Sequence, residues 1–361
     1  MPLSWDLPIK PPLEPMLAKA QTKVPAEAGV WSYEPKWDGF RALVFRDGDN
    51  VVLLSRSGKD LGRYFPEVKE SVRDELAPRC VLDGEIVVPR EIAGRTRLDW
   101  ESLSQRIHPA ESRVRKLSEQ TPAHFIGFDA LAVGDESLLK EPFRARRQAL
   151  IDAVHEKTWC HVTRTTEDPE LGAQWLEEFE GAGLDGVIAK RLDGPYLPGK
   201  REMVKVKHAR DADCVAIGYR VHKSGDGVGS ILLGLYRDDG ELHMIGGAAS
   251  FTAKARLSLL ADLEPLRIGD DVRDGEASRW NSAADKRWIP VRPERVCEVA
   301  YDQMEGNTVH GQRFRHAVKF VRWRPDREPA SCTFSQLDAP LNYDLYDVLE
   351  SGASEATGDR S

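Results

Sequence analysis

A lysine becomes a useful nucleophile when its amine is held beside the backbone of a tight turn, and one segment of this chain offers that setting. Glu34-Pro35-Lys36-Trp37-Asp38-Gly39-Phe40-Arg41 sets a lysine beside carboxylates and a glycine at the edge of a strand-forming run, an ExKxDGxR pattern. Taken alone, the pattern favours an ordinary exposed lysine ahead of a hairpin. Other segments weigh against that reading.

Five of them follow in order: Ser55-Arg56-Ser57-Gly58, Val81-Leu82-Asp83-Gly84-Glu85-Ile86, Phe128-Asp129-Ala130-Leu131, Asp185-Gly186-Val187-Ile188-Ala189-Lys190 and Val204-Lys205-Val206-Lys207. Lys205 and Lys207 alternate along a strand, so both point to one face and can stabilise a phosphate as it becomes five-coordinate. Paired strand lysines also serve as solvated edge guards. Glu85 and Asp185 flank apolar strands, where carboxylates are costly without a cation and suit a hard divalent ion. Beside glycine they also read as plain turn residues. Arg56 is placed to take a phosphate with two parallel hydrogen bonds, or is an exposed turn arginine. Phe128 offers a ring for stacking, or a core side chain.

The last segment is Phe320-Val321-Arg322-Trp323-Arg324-Pro325-Asp326-Arg327. From Arg313 to Arg327 the sequence has six basic side chains against one acid. That density on an acidic protein suggests a phosphate-facing surface, with a solvated strand as the alternative. A glycine-rich stretch, Tyr219 to Gly227, reads as a hairpin connection or a mobile loop on DNA.

The order and spacing of these segments resemble nucleotidyltransferase motifs I, Ia, III, IIIa, IV, V and VI of ATP-dependent DNA ligases, over nearly the whole chain. In length the sequence is most similar to the small stand-alone bacterial, particularly actinobacterial, ligases of the ligase C type, related to the ligase modules of end-joining enzymes. The resemblance implies ATP as co-substrate, Mg2+ or Mn2+, and nicked duplex DNA as the partner, in a repair setting with possible repair-protein partners. Lys36 would attack the α-phosphorus as a neutral amine, favoured by the positive charge of Lys205, Lys207 and metal. Glu34 would lie near the purine's exocyclic amine and Phe128 on its face. Arg41 would bind ribose or the end of the nucleotide, Glu85 ribose and metal, and Asp185 metal. Arg322 and Arg324 would bind departing pyrophosphate when a second domain closes over ATP.

Two positions depart from the family pattern. Asp185 stands where glutamate is usual, and Arg327 where lysine is usual. Competing readings are an RNA ligase or GTP-dependent capping-type transferase, and a non-catalytic nucleic-acid-binding barrel. A NAD-dependent ligase is disfavoured by the lack of paired cysteines for a zinc finger.

These residues need elements to hold them. Alternation from Trp31 to Leu54 around Asp47-Gly48-Asp49-Asn50 predicts a hairpin with Lys36 just before it. Helices are expected at Pro66 to Leu76, Phe143 to Val154 and Pro169 to Phe179, and strands at Val81 to Val88 and Phe125 to Val133. After His208 the texture changes to short strands with one helix, Thr252 to Leu263, which suits a small OB-fold β-barrel. The expected fold is α+β: an adenylation domain over 1–208, an OB-fold domain over 209–340, and a polar, mobile tail over 341–361. A hinge is expected between His208 and Asp213.

A length of 361 residues supports about two domains, and 41% hydrophobic content supports ordinary cores. A net charge of −8 means that any DNA surface must be local. Five cysteines without a CxxC pair suggest neither zinc ribbon nor disulfide framework, which fits a reducing cytoplasm and the nucleoid. No stretch reaches the roughly 18 apolar residues of a membrane span. A monomer with no membrane association is expected.

Overall fold

The computed structural model describes residues 6–92, 94–155, 158–207, 210–274, 287–306, 311–337 and 344–354. Contacts divide the chain into two units, Met1–His208 with Ala339–Ser361, and Ala209–Asp338. His208 and Ala209, at the expected hinge, lie outside the described residues.

The first unit runs β1 (Leu17–Gln21), β2 (Trp31–Pro35), β3 (Phe40–Asp47), β4 (Asn50–Ser55), α1 (Pro66–Glu75), β5 (Arg79–Val87), β6 (Pro89–Ile92) and β7 (Arg95–Leu98). It continues through α2 (Trp100–Gln105), α3 (Glu111–Gln120), β8 (His124–Val133), β9 (Glu136–Ser137), α4 (Phe143–Ala153), β10 (Cys160–Val162), α5 (Pro169–Glu178), β11 (Val187–Arg191) and β12 (Arg201–Val206). Proline opens both α1 and α5, where a missing N–H costs nothing, and the Asp168 carboxylate caps α5 at the Glu170 amide.

One sheet has the order β1-β12-β11-β2 and the other β10-β8-β5-β3-β4, with β9 beside β8. The β3–β4 hairpin turns at Gly48, whose φ of 61° suits glycine. Trp31–Pro35 is not part of that hairpin; β2 pairs with β11 in the other sheet, Glu34 opposite Ile188. Lys36 therefore lies on the short link where the chain leaves one sheet for the other. Apolar side chains from both sheets bury around it, among them Tyr33, Trp37, Val87, Ile126 and Val206.

Residues 341–361 were expected to form a polar tail, and the structure corrects this. Helix α7 (Leu345–Ser354) packs Leu345, Val348 and Leu349 into the first unit's core. Apolar residues spaced i, i+3, i+4 make one face of this helix worth burying. Asp344 anchors its start by accepting a hydrogen bond from the Thr96 amide at 2.8 Å.

The second unit holds β13 (Arg210–Val221), β14 (Val228–Tyr236), β15 (Leu242–Ala249), α6 (Ala253–Leu263), β16 (Ile289–Pro290), β17 (Val296–Tyr301), β18 (Met304–Glu305), β19 (Arg313–Phe314) and β20 (Lys319–Trp323). Its main sheet has the order β15-β14-β13-β17-β20. The sheet then closes on itself, because Ala248 of β15 bridges in parallel to Val318, just before β20. A five-stranded antiparallel path closed by one parallel pairing, with a helix between the third and fourth main strands, has the connectivity of an OB-fold barrel. Among the described residues, no helix is long and apolar enough to cross a membrane.

Candidate active site

The Lys36 link is fixed by backbone before any side chain acts. The Lys36 amide donates to the Gly186 carbonyl at 2.8 Å, and the Asp185 amide donates to the Lys36 carbonyl at 2.9 Å. A Cβ at Gly39 would stand 2.1 Å from the Ile86 carbonyl oxygen, so only glycine lets β3 start this close to β5. The Gly39 amide in turn donates to Glu85 Oε1 at 3.2 Å. The glycines of the KxDG and DGV segments thus bring Lys36, Glu85 and Asp185 to one place.

That place is a cavity of about 680 Å³ in the first unit, lined among others by Glu34, Lys36, Arg41, Arg56, Glu85, Phe128, Lys205 and Lys207. Lys36 Nζ contacts Asp185 Oδ2 at 2.5 Å, and Lys207 Nζ reaches the same oxygen at 3.1 Å. Burial opposes ionisation of Asp185, but Lys36 and then Lys207 hold its carboxyl below the usual range. Lys205 titrates lower than an ordinary lysine because of burial and the charges of Lys207 and Lys36. Burial pushes the Glu85 carboxyl up to about 8, with Arg41 and Lys36 pulling the other way.

Arg41 is held in a two-point ion pair with Asp83, at 2.9 and 2.6 Å, and its guanidinium lies 5.2 Å from the Phe128 ring centroid. Tyr196 donates to the same Asp83 carboxylate at 2.6 Å. Glu34 pairs with Lys190 at 2.8 Å. Sequence reasoning missed Asp83, Lys190, Tyr196 and the cavity-lining Arg201. Asp83 and Lys190 lay inside quoted motifs, whereas nothing local marked Tyr196 or Arg201.

Arg322 and Arg324 belong to the second unit. Arg322 pairs with Glu298 at 2.8 Å, and Arg324 with Asp326 at 2.8 Å and Asp213 at 3.1 Å. Arg327 also reaches Asp213, at 3.2 Å. The run that looked strongly basic in sequence is therefore countered by carboxylates of β13 and β17.

Two oxygen-donor carboxyl groups, Glu85 and Asp185, interact with Lys36, and Glu85 is a half-buried carboxyl whose charged form is disfavoured. A hard divalent ion would relieve that cost, so the donor set fits Mg2+ or Mn2+. Among the described residues, no three His, Cys, Asp or Glu side chains converge as a cage. Such an ion would thus share its ligands with substrate phosphates.

A lysine amine, further lysines and arginines, carboxylates and an aromatic ring around one cavity are the side-chain set that a covalent nucleotidyltransferase needs. Comparison with known proteins places it further. Residues 15–207 match the ATP dependent DNA ligase domain, and residues 224–327 the ATP dependent DNA ligase C terminal region. The chain is 81% identical over 345 residues to DNA ligase C1 of Mycolicibacterium smegmatis, spanning 96% of this chain and 99% of that one. It is 32% identical over 328 residues to the multifunctional non-homologous end joining protein LigD of Mycobacterium bovis, covering 88% of this chain and 39% of LigD. A solved structure from a structure-function study of Lig E DNA ligases shares the fold at 18% identity, with a TM-score of 0.53, over 86% of this chain and 99% of that one. The chain belongs to the ATP-dependent DNA ligases. It is an enzyme of the small stand-alone bacterial kind, and the capping, RNA-ligase and non-catalytic readings are not favoured.

Proposed function

We propose that Lys36 is the residue that carries AMP. Its amine, after losing a proton, attacks the α-phosphorus; the N–P bond forms as the α–β bridging P–O bond breaks and pyrophosphate leaves. AMP then passes to the 5′-phosphate of a nick, freeing Lys36, and the adjacent 3′-hydroxyl displaces AMP to seal the strand. The observation that carries this reading is the Lys36 amine within reach of Asp185 and Lys207, on a cavity of about 680 Å³ that also holds Lys205, Glu85 and Phe128.

Each step is an in-line displacement that needs charge neutralisation and positioning more than proton transfer. Lys205 and Lys207 neutralise the α-phosphate, and Phe128 stacks on adenine with Glu34 at its exocyclic amine. Arg41 holds ribose or the nucleotide end, and Arg56 takes a DNA phosphate. Glu85, which also contacts ribose, and Asp185 would hold a divalent ion, Mg2+ or Mn2+, which supplies positive charge to the phosphates when bound. Before ATP binds, Asp185 keeps Lys36 in an ion pair, and Lys36 must leave that contact before its amine can attack. Arg322 and Arg324 serve departing pyrophosphate, exchanging Glu298, Asp213 and Asp326 for phosphate oxygens. The kinship with an end-joining protein supports a role in DNA repair.

The test is self-labelling with α-labelled ATP and a divalent ion. Label should survive denaturation, discharge onto nicked duplex DNA, and be absent in Lys36→Ala. Label retained by Lys36→Ala would end the assignment.

A further inference from the structure

Lys190 closes the Asp185–Lys190 segment, and its ammonium is among the most deeply buried charges in the molecule. Its side chain is 2% exposed, and that of its partner Glu34 4%. Nζ contacts Glu34 Oε1 at 2.8 Å and Oε2 at 3.1 Å, the Phe128 carbonyl oxygen at 2.7 Å and, at longer range, Asp129 Oδ2 at 3.9 Å. The rings of Phe128 and Phe143 flank it, each with its centroid 4.8 Å away. An ammonium has three N–H donors, and these partners account for them. Glu34 and Phe128 line the nucleotide cavity, whereas Lys190 stands behind them. Lys190 therefore acts on the cavity through Glu34 and Phe128.

The chemical consequence concerns the base. A carboxylate has about four lone-pair sites, and Lys190 leaves some free toward the cavity. Adenine presents an amino group at its six position and guanine a carbonyl oxygen. An ionised Glu34 accepts from the first and repels the second. A protonated Glu34 would donate to the carbonyl and lose that discrimination. Burial holds the Glu34 carboxyl above its usual range, and Lys190, ahead of Arg147, is the first of the charges that limit the rise.

We infer that Lys190 is the positioning residue for purine choice: its ammonium keeps the Glu34 carboxylate ionised and aimed, so that the site takes ATP and turns away GTP. This rests on the reading of Glu34 beside the exocyclic amine. Removing the charge at 190 leaves a buried carboxylate opposed in its protonation only by Arg147, with Asp129 favouring it, so that it regains neutrality by taking a proton. Guanine then meets a donor where it met a repelling charge.

The experiment is self-nucleotidylation of the full chain with α-labelled ATP and GTP in separate and competing reactions, with thermal unfolding of every variant. The readout is the GTP-to-ATP ratio of initial rates, which a merely structural defect does not move. Lys190→Met should raise the ratio roughly 10- to 100-fold, the scale of one hydrogen bond to a charged group gained or lost. If Lys190→Met does not fold, Lys190→Gln carries the same readout, since it keeps a donor for the Phe128 carbonyl without the charge. Glu34→Gln, which presents both donor and acceptor, should shift the ratio the same way, and the double variant should add little. A folded Lys190 variant that loses ATP and GTP labelling in parallel overturns the inference. If Glu34→Gln shifts the ratio and Lys190→Met does not, only the role of Lys190 fails. If neither shifts it, Glu34 does not face the purine, and that part of the proposed site fails with it.

Discussion

Gly186→Ala tests whether the chemistry depends on backbone that Gly186 alone permits. Its φ is +132°, and an added Cβ would stand 2.1 Å from the Val206 carbonyl oxygen and 2.9 Å from Lys207 Cα. Real Cβ contacts essentially never fall under 3.0 Å, so the two backbones must separate by about 1 Å. Both partners are rigid, one hydrogen-bonded to Lys36 and the other leading into Lys207. Such a displacement between nucleophile and phosphate-directed lysine costs about 100-fold in rate. The backbone strain adds about 1–3 kcal/mol of destabilisation, which lowers Tm by roughly 5 °C. The assay is the single-turnover rate of lysyl-AMP formation at 20 °C, well below unfolding. Gly48→Ala is the control: its φ of +61° imposes strain, but nothing lies within 4 Å of the added carbon. It should lose similar stability and adenylate at the wild-type rate. Wild-type adenylation in Gly186→Ala, or an equal loss in Gly48→Ala, would refute the reasoning.

Acid should weaken the first unit through His124 and His161, which stack with Nδ1 and Nε2 3.0 Å apart. Burial lowers both, His124 from 6.5 to about 3, so below pH 6.5 the unfolded chain binds more protons than the folded one. Stability should therefore fall as pH drops from 6.5 toward 3, by up to about 1.4 kcal/mol per pH unit for His124. Urea unfolding from pH 7 to 4 measures the slope; His124→Phe should flatten it, and an unchanged slope would count against the assignment. Deleting residues after Leu337 removes the buried Leu345, Val348 and Leu349 of α7. Net of the cost of ordering the helix, that loss is worth about 3 kcal/mol, so the first unit should melt several degrees lower. An unaltered melt would mean that α7 does not hold.

Short-range chemistry was legible in the sequence. The ExKxDGxR segment read correctly as a lysine and a glycine at the edge of a strand, because that requirement is local, whereas Glu85 sits within β5 and not at its edge. Long-range pairing was not. The strand holding Glu34 pairs with the strand holding Ile188, and no local alternation tells β2 to join that sheet instead of the β3–β4 hairpin. Helix α7 has a readable apolar spacing, but serine, glycine and acidic residues around it gave the look of a tail. Lys190 was invisible as a buried charge, since a lysine at a strand end ordinarily faces water and only Glu34 and the Phe128 carbonyl make its burial tolerable. The Arg322 to Arg327 run looks more positive in sequence than it is in the fold. Its neutralising partners Glu298 and Asp213 sit on other strands, so a local count of charge could not see them.

The ion pairs around this chemistry sort by how readily their carboxylates can be displaced. Asp83 is 0% exposed and also accepts from Tyr196, so Arg41 is held by a permanent scaffold. Glu34 is similarly buried against Lys190. At the other extreme, Asp326 is 61% exposed, and phosphate can replace it on Arg324 at little cost. Asp185 lies between these cases: it is 7% exposed, but two cations share one of its oxygens. Displacing it therefore requires a ligand that compensates Lys36 and Lys207 together and a cation that compensates the freed carboxylate. On the proposed reading a nucleoside triphosphate with a divalent ion would supply both charges; either alone would leave one group unpaired. The net charge of −8 is thus compatible with a polyanion-binding enzyme. Part of the acidic excess holds lysines and arginines in place: exposed carboxylates such as Asp326 yield readily, and buried Asp185 only to an anion and a cation together.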